Sequence, residues 1–382
     1  MLGSIFVGLS GMDAFSNALK RISNNITNIN TDGYTASGVT FDNLVSQSRG
    51  DDSGDGVVLA DPHLNFSEGE LRQTNQDLDL AVDGSGFLVL NKDGALSFIR
   101  TGSFEVSDDG YIVLQGTKYQ LNVLDSTGQP KPISIDAFRV SPPQKTTHVT
   151  FSDNLSSTAT SFTVSSIQVY DTDGAADTWQ ASFTRDSSAP AGQWTVTVTN
   201  AEGTQVGDPQ TLQFDNGVAD PQSSTLTFSD GTHSVDFDFS AASSFSAGDV
   251  STLQVSKADG YGLGEVSAVQ VNDKGELEIA YTNSQTKSLG AVALASFGNP
   301  SELEQNNAGI FTAKSSLHPS FLPTSAQTAG KVVSRQLEAS NVDLSQEFGE
   351  LILVQRGFQA SSQIVSVSND MIQQLFGMRG QG

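Results

Sequence analysis

The chain has 382 residues, of which 43 are acidic and 19 basic, for a formal charge of −24. A polyanion of this size is repelled by phosphate backbones and by anionic bilayers, which argues against nucleic-acid binding and membrane docking. With no cysteine it has no disulfide, thiolate metal site or cysteine nucleophile.

The length suggests two or three domains. Only 16% of the residues are charged, below the usual share of about 25%. The polar surface must therefore come from Ser, Thr, Asn, Gln and Gly, which suits exposed β-structure. No apolar stretch reaches the roughly 20 residues that span a bilayer. The start of the chain lacks a basic region ahead of its apolar run, and the apolar spacing continues past any plausible cleavage point. No cleavable signal peptide is expected.

In chain order, the first element is a helix. Leu2, Ile5, Leu9, Met12, Phe15, Leu19, Ile22, Ile26 and Ile29 recur every three or four residues and trace one apolar stripe. The stripe ends in Thr27-Asn28-Ile29-Asn30-Thr31-Asp32-Gly33, a composition that suits a helix end and a turn. Gly3, Gly8 and Gly11 interrupt it, which predicts a helix that orders on assembly rather than an isolated core. The acidic run from Asp51 to Asp55 reads as loop.

From residue 77 to 124 short apolar runs alternate with turn signals. Gly86-Phe-Leu-Val-Leu90 precedes Asn91-Lys-Asp-Gly94, and Phe104-Glu-Val106 precedes Asp108-Asp-Gly110, which predicts hairpins. Residues 266–297 repeat the pattern around Asn272-Asp-Lys-Gly275. Gly84-Ser-Gly86 reads as a tight turn, because strands rather than a helix follow it.

The stretch 149–257 differs. It is rich in Ser and Thr, and thirteen acidic residues against two basic ones give it −11 of the total charge of −24. It reads as an all-β domain inserted into the inner one. Asp171-Thr-Asp-Gly-Ala-Ala-Asp177 lacks the third early ligand and terminal Glu of a calcium loop and reads as a solvated turn. Trp179 and Trp194 are expected in this domain's core. The four histidines, at 63, 148, 233 and 318, form no local ligand pair, and no Ser, His and Asp set has a recognisable catalytic context. No cofactor, metal or catalytic residue is expected.

The last element is a second helix. Asp343 or Ser345 is placed to cap it, with Glu347 and Glu350 in its early turns. Leu344, Leu351, Phe358, Val365 and Ile372 recur every seven residues. The companion series Phe348, Gln355, Ser362, Asn369 and Phe376 is mostly polar. All 11 prolines lie from Pro62 to Pro323, so both helical ends are free of proline. The expected fold is α+β and multidomain. Residues 1–33 and 341–382 would form a helical assembly domain, 34–76 and 298–340 connecting segments, 77–148 and 258–297 an inner β-domain, and 149–257 an acidic outer one. Neither end buries its stripe alone. The stripes are expected to pair with each other and with other copies of the chain.

Three sets of residues carry a resemblance. Ser23-Asn24-Asn25-Ile26-Thr27-Asn28-Ile29-Asn30-Thr31-Asp32-Gly33-Tyr34 resembles the N-terminal signature of the bacterial flagellar rod and hook proteins. Asn341-Val-Asp343-Leu344 and Gln355-Arg356-Gly-Phe358-Gln-Ala360 resemble the C-terminal signature of the same family. Val82-Asp-Gly-Ser-Gly-Phe87, Arg100-Thr-Gly-Ser-Phe104 and Asp109-Gly-Tyr111 resemble its inner β-domain, with Thr101 where the family often has Asp. The resemblance implies a non-enzymatic subunit of a homopolymeric tube on the cell exterior. It implies export of the unfolded chain through the flagellar type III apparatus. It also implies contacts with the flagellar rod, the hook cap and the hook–filament junction proteins. The insertion of about 109 residues favours the curved, flexible coupling over the straight distal rod, whose proteins lack a large outer domain. A secreted β-rich hydrolase or adhesin is the reading from another class.

Overall fold

The computed structural model describes residues 2–43, 56–186, 188, 190–248, 250–306, 309–314, 317–323 and 329–379; Leu2 and residues 375–379 are described as backbone only. The acidic run Asp51–Asp55 lies outside them. The architecture is α+β. Helix α1 (Leu2–Thr27) and helix α2 (Leu344–Arg379) lie at the two ends of the chain, and among the described residues everything regular between them is strand apart from two short 3-10 turns. The chain divides into two compact units. The first comprises residues 1–136, 269–278 and 288–382, and the second 137–268 and 279–287.

The first unit carries both helices and a twelve-stranded sheet. Its central strands run in the order Ala95–Ile99, Phe87–Lys92, Gln120–Leu124, Ile112–Leu114, Thr101–Val106, Asp79–Asp83 and Lys331–Ser334. The Asp-Gly signal forms a two-residue hairpin: Lys92 pairs with Ala95, and Asp93 and Gly94 have φ of 52° and 86°. Both angles are positive, as a type I′ turn requires. Gly84-Ser-Gly86 is a turn against a neighbouring segment, with the Gly86 amide donating to the Ala329 carbonyl at 2.7 Å. Leu80, Val82, Leu88, Leu90, Leu121 and Leu294 form one buried cluster, and Phe87, Phe98, Phe297 and Phe311 form a second.

One buried ion pair ties this sheet to the segment leading into α2. Arg100 Nε donates to Glu338 Oε2 at 2.9 Å, and both side chains are almost fully buried. The guanidinium also donates to the carbonyls of Gly84 (2.7 Å) and Gly86 (3.2 Å). Glu338 Oε1 accepts the Gly69 amide at 2.9 Å. Thr101 donates its hydroxyl to the Leu80 carbonyl (2.9 Å) and accepts the Glu338 amide (3.1 Å). Each charge thus has a partner, the condition under which a buried pair is tolerated.

The second unit has a nine-stranded sheet in the order Ser161–Tyr170, Ala176–Thr184, Gln193–Thr199, Gln205–Asp215, Val218–Ala219, Ser234–Ser243, His148–Asn154 and Gln254–Ala258; Thr225–Ser229 pairs with Ser234–Ser243. Burial alternates along these strands. Val235, Phe237 and Phe239 are buried while Asp236 and Asp238 are not, which puts the acidic residues on the outer face. Trp179 and Trp194 are fully buried in a core with Phe151, Phe183, Phe228 and Phe237. The chain enters and leaves this sheet on adjacent antiparallel strands, with Val149 opposite Ala258. The Asp171–Asp177 stretch is a turn in which Asp171 Oδ1 accepts the amides of Asp173 (2.9 Å) and Ala175 (2.8 Å). Asp177, Asp230 and His233 converge, with one side-chain polar atom of each within 4.8 Å of the others. Trp179 Nε1 donates to Asp177 Oδ2, and His233 Nδ1 lies against Asp230 Oδ2, each at 2.9 Å.

Replacing Arg100 by Met strands the Glu338 carboxylate in the interior. The first unit is expected to lose about 3–5 kcal/mol. Amide exchange of Asp79–Asp83 and Lys331–Ser334 should speed up accordingly, while Trp179 and Trp194, both in the second unit, should show unchanged fluorescence in native buffer.

Candidate functional site

The sequence features without an internal partner converge on the two terminal helices. They run antiparallel. A Cβ at Gly8 would stand 2.7 Å from Val365 Cγ2, one at Gly11 2.6 Å from Ser361 Oγ, and one at Gly357 2.5 Å from the Phe15 ring. Ala18 and Ile22 pack on Val354, flanked by Leu19 and Leu351. At the end of the seam, Asn25 Nδ2 donates to Glu347 Oε1 at 2.8 Å. The contact face of α2 is therefore the double series Glu347, Val354, Ser361, Ser368 and Leu351, Phe358, Val365, Ile372. Small residues let the two backbones approach, and the large Phe15 ring fits because position 357 is glycine.

This corrects the expected pairing in three respects. The companion series of Phe348, Gln355, Ser362 and Asn369 faces away from α1, and Phe348 is 50% exposed. Leu344 and Leu9 are also exposed, while Ile5, Met12, Phe15, Leu19, Ile26, Leu351, Phe358, Val365 and Ile372 are half-buried and only Ile22 is fully enclosed. Gly8 and Gly11, read as defects of an isolated core, are the points of closest approach. The Leu2 and Phe376 side chains lie outside the described residues. Phe348 and Phe376 drew attention to the wrong companion series. The signal for the right one was the run of small residues on both helices, Gly8, Gly11, Ala14 and Ala18 facing Gly357 and Ser361.

The signature residues join the two ends of the chain. Asn25, 1% exposed, uses its whole amide. Its Nδ2 donates to Glu347 Oε1 and to the Ser37 carbonyl (3.0 Å), and its Oδ1 accepts the Tyr34 hydroxyl (3.1 Å) and the Ser37 amide (3.1 Å). Asn341 does the same one segment away: its Oδ1 accepts the Ala36 amide at 2.8 Å and its Nδ2 donates to the Ser67 carbonyl at 2.8 Å. Gly33 sits at φ 69° with its amide on the Glu338 carbonyl at 2.7 Å. A Cβ there would stand 2.7 Å from Thr101 Cγ2. Asp343, not Ser345, caps α2, its Oδ1 accepting the amides of Ser345 (2.8 Å) and Gln346 (3.2 Å). Asn28 folds back on the Asn24 carbonyl at 2.8 Å. Asn24, Asn30, Gln355 and Arg356 are exposed.

The faces turned away from the seam are apolar. Phe6 and Leu353 are 68% and 70% exposed, and Val7, Leu9, Leu344, Phe348, Ile352, Ile364, Val367 and Met371 join them. Single exposed hydrophobes are ordinary, but this many on two adjacent helices mark an interaction surface. Most were absent from the predicted stripes, because a helix with apolar residues on several faces hides any one period.

Comparison with known proteins finds similarity to the axial proteins of the flagellum. Residues 5–35 match the family described as flagella basal body rod protein, and residues 333–378 match the flagellar basal body rod FlgEFG protein C-terminal family. The flagellar hook protein FlgE of Treponema pallidum is 25% identical, the match covering 99% of this chain and all of that protein. That of Escherichia coli is 28% identical over 97% of this chain and 98% of its own. The chain is also similar to the solved Helicobacter pylori flagellar hook protein FlgE2, at 13% identity and a TM-score of 0.49, over 70% of this chain and 99% of that one. Both ends of the chain thus resemble flagellar rod and hook proteins, and the likeness to hook proteins extends over nearly its full length.

Two glycines of α2 should respond in opposite directions. Gly349 has no atom within 4 Å of a built Cβ, whereas Gly357 is filled by Phe15. Gly349→Ala should stabilise the helix by about 0.8–1 kcal/mol. Gly357→Ala should destabilise the pair by about 1–3 kcal/mol. The thermal midpoint of the helical circular dichroism signal distinguishes them.

Proposed function

We infer that this chain is a structural subunit of the bacterial flagellar hook. It self-assembles into a curved, flexible tube that acts as a universal joint between the rotary motor and the filament. The observation that carries the reading is the near end-to-end likeness to hook proteins, including the strand-rich middle. It is supported by the apolar faces that the paired terminal helices leave uncovered. A straight distal rod would need the same helices but not a large second unit with a core of its own. The role is mechanical, and no catalysis or cofactor belongs to it.

In this reading the terminal helices line the tube, and neighbouring copies cover Phe6, Phe348, Ile352, Leu353 and Ile364. Each large side chain so buried contributes about 1.5–3 kcal/mol. Residues 1–33 and 341–382 form the assembly domain, 77–148 and 258–297 the inner β-domain, and 149–257 the outer one. The acidic, polar outer surface favours wet contacts that slide as the tube bends. The flagellar rod, the hook cap and the hook–filament junction proteins are the expected neighbours, and the flagellar type III apparatus the expected exporter.

Polymerising the purified chain tests this. Electron microscopy should show curved tubes, and straight ones would assign the chain to the rod. Circular dichroism should show more helix in polymer than in monomer, and equal content would refute assembly-linked ordering.

A second expectation follows from the adjacent strands that open and close the acidic sheet. Joining residue 148 to 258 should preserve assembly and change the curvature or stiffness of the tube. Loss of assembly in that variant would contradict a peripheral role for the excised residues.

A further inference from the structure

The junction at the base of α2 holds a carboxyl group that the assembly role does not require. Glu347 is 6% exposed and lies in the first turns of α2. Its Oε1 accepts the Asn25 amide, and its Oε2 is enclosed with no hydrogen-bond partner among the described residues. An enclosed carboxylate oxygen without a donor is costly, and a neutral carboxyl much less so.

Among the described residues, the groups that face it supply no positive charge. On α2 itself they are Asp343 and Glu350, both acidic. From the segment after α1 comes the Tyr34 hydroxyl, which donates to Asn25 Oδ1 and stays protonated because burial and the nearby Glu347 raise its pKa. From α1 comes the neutral Asn25. Arg21, one turn earlier, turns elsewhere: Nη2 donates to the Ala60 carbonyl at 2.8 Å, its charge partner is Asp61, and its buried Nη1 has no hydrogen-bond partner among the described residues.

Burial, together with the charges of Glu350 and Asp343, raises the Glu347 carboxyl above the ordinary range, against the Asn25 hydrogen bond that lowers it. The positive end of the α2 dipole opposes the rise.

We propose that Glu347 is a proton-operated latch between the two ends of the chain: protonated, it lets the Asn25–Tyr34–Ser37 junction close; ionised, it loosens the base of α2 from α1. The sign follows from linkage. A carboxyl whose folded pKa lies above its unfolded value of about 4.3 contributes its stability fully below that value, and the contribution fades as pH rises through the folded pKa. The helix pair is therefore tighter in weak acid than at neutral pH. The latch keeps the chain ends easier to open at neutral pH until neighbouring copies hold them.

The latch depends on the α1–α2 junction and not on the hook reading, so it is tested on the full-length monomer. Amide exchange, normalised for its intrinsic pH dependence, is followed over residues 14–28 and 344–358 from pH 4.5 to 8 in the native chain and in Glu347→Gln. In the native chain, protection should fall with pH by about tenfold for each unit by which the folded pKa is raised. In the glutamine variant, which keeps the Asn25 bond and cannot ionise, protection should be flat and higher than native at pH 8. Equal slopes in the two proteins, or a variant less protected than native at pH 8, would overturn the latch. Carbon-13 titration of glutamate-labelled native chain gives an independent reading. A Glu347 midpoint above the ordinary carboxylate range supports the latch, and one within or below it overturns it, whether or not the variant folds.

Discussion

The Asn25–Glu347 hydrogen bond spans 322 residues of sequence and is buried at the seam of two helices. Closing a loop of that length costs conformational entropy that grows only slowly with chain length. A modest set of well-satisfied polar contacts can therefore hold the ends together. Asn25 meets the Glu347 side chain and Asn341 the Ala36 backbone, each from the opposite end of the chain, and Arg100–Glu338 fastens the sheet to the same returning segment. The remainder of the first unit depends on this closure, because the strand Lys331–Ser334 completes the sheet beside Asp79–Asp83 only when the chain has come back.

The ends of the chain separate two kinds of interaction. Inside the seam, close small and polar contacts, glycine against serine and asparagine against glutamate, flank the apolar packing of Ala18 and Ile22 on Val354. Outside it, large apolar side chains stand uncovered. Polar contacts of fixed geometry specify register, and apolar area supplies free energy with little directional demand. A subunit that must first find its own partner helix and then accept several neighbours at changing angles benefits from that division.

Much of this was legible in the sequence. The proline-free ends gave the two helices, the Asp-Gly dipeptides gave the hairpins, and alternation such as Val235-Asp-Phe-Asp-Phe239 gave the buried and exposed faces of the acidic sheet. The asparagine signature was legible as a pattern, but its chemistry was not. Nothing local shows that Asn25 reaches Glu347 or that Gly33 must clear Thr101, because both contacts join distant segments. The helix seam was misread because seven-residue spacing in α2 is satisfied equally well by a companion series on either side of Leu351. Large phenylalanines favoured one side, and the partner's glycines decided for the other. Thr101 has its reason in three dimensions too. Its hydroxyl donates to the Leu80 carbonyl and accepts the Glu338 amide, tying the sheet to the returning segment.

The opposition of Val149 and Ala258 gives the acidic sheet a doorway of constant width. Whatever lies beyond that doorway can lengthen, shorten or be exchanged while the two ends of the gap keep their spacing. The module is a cassette, and its bulk can drift under different selection from the asparagines that close the chain upon itself.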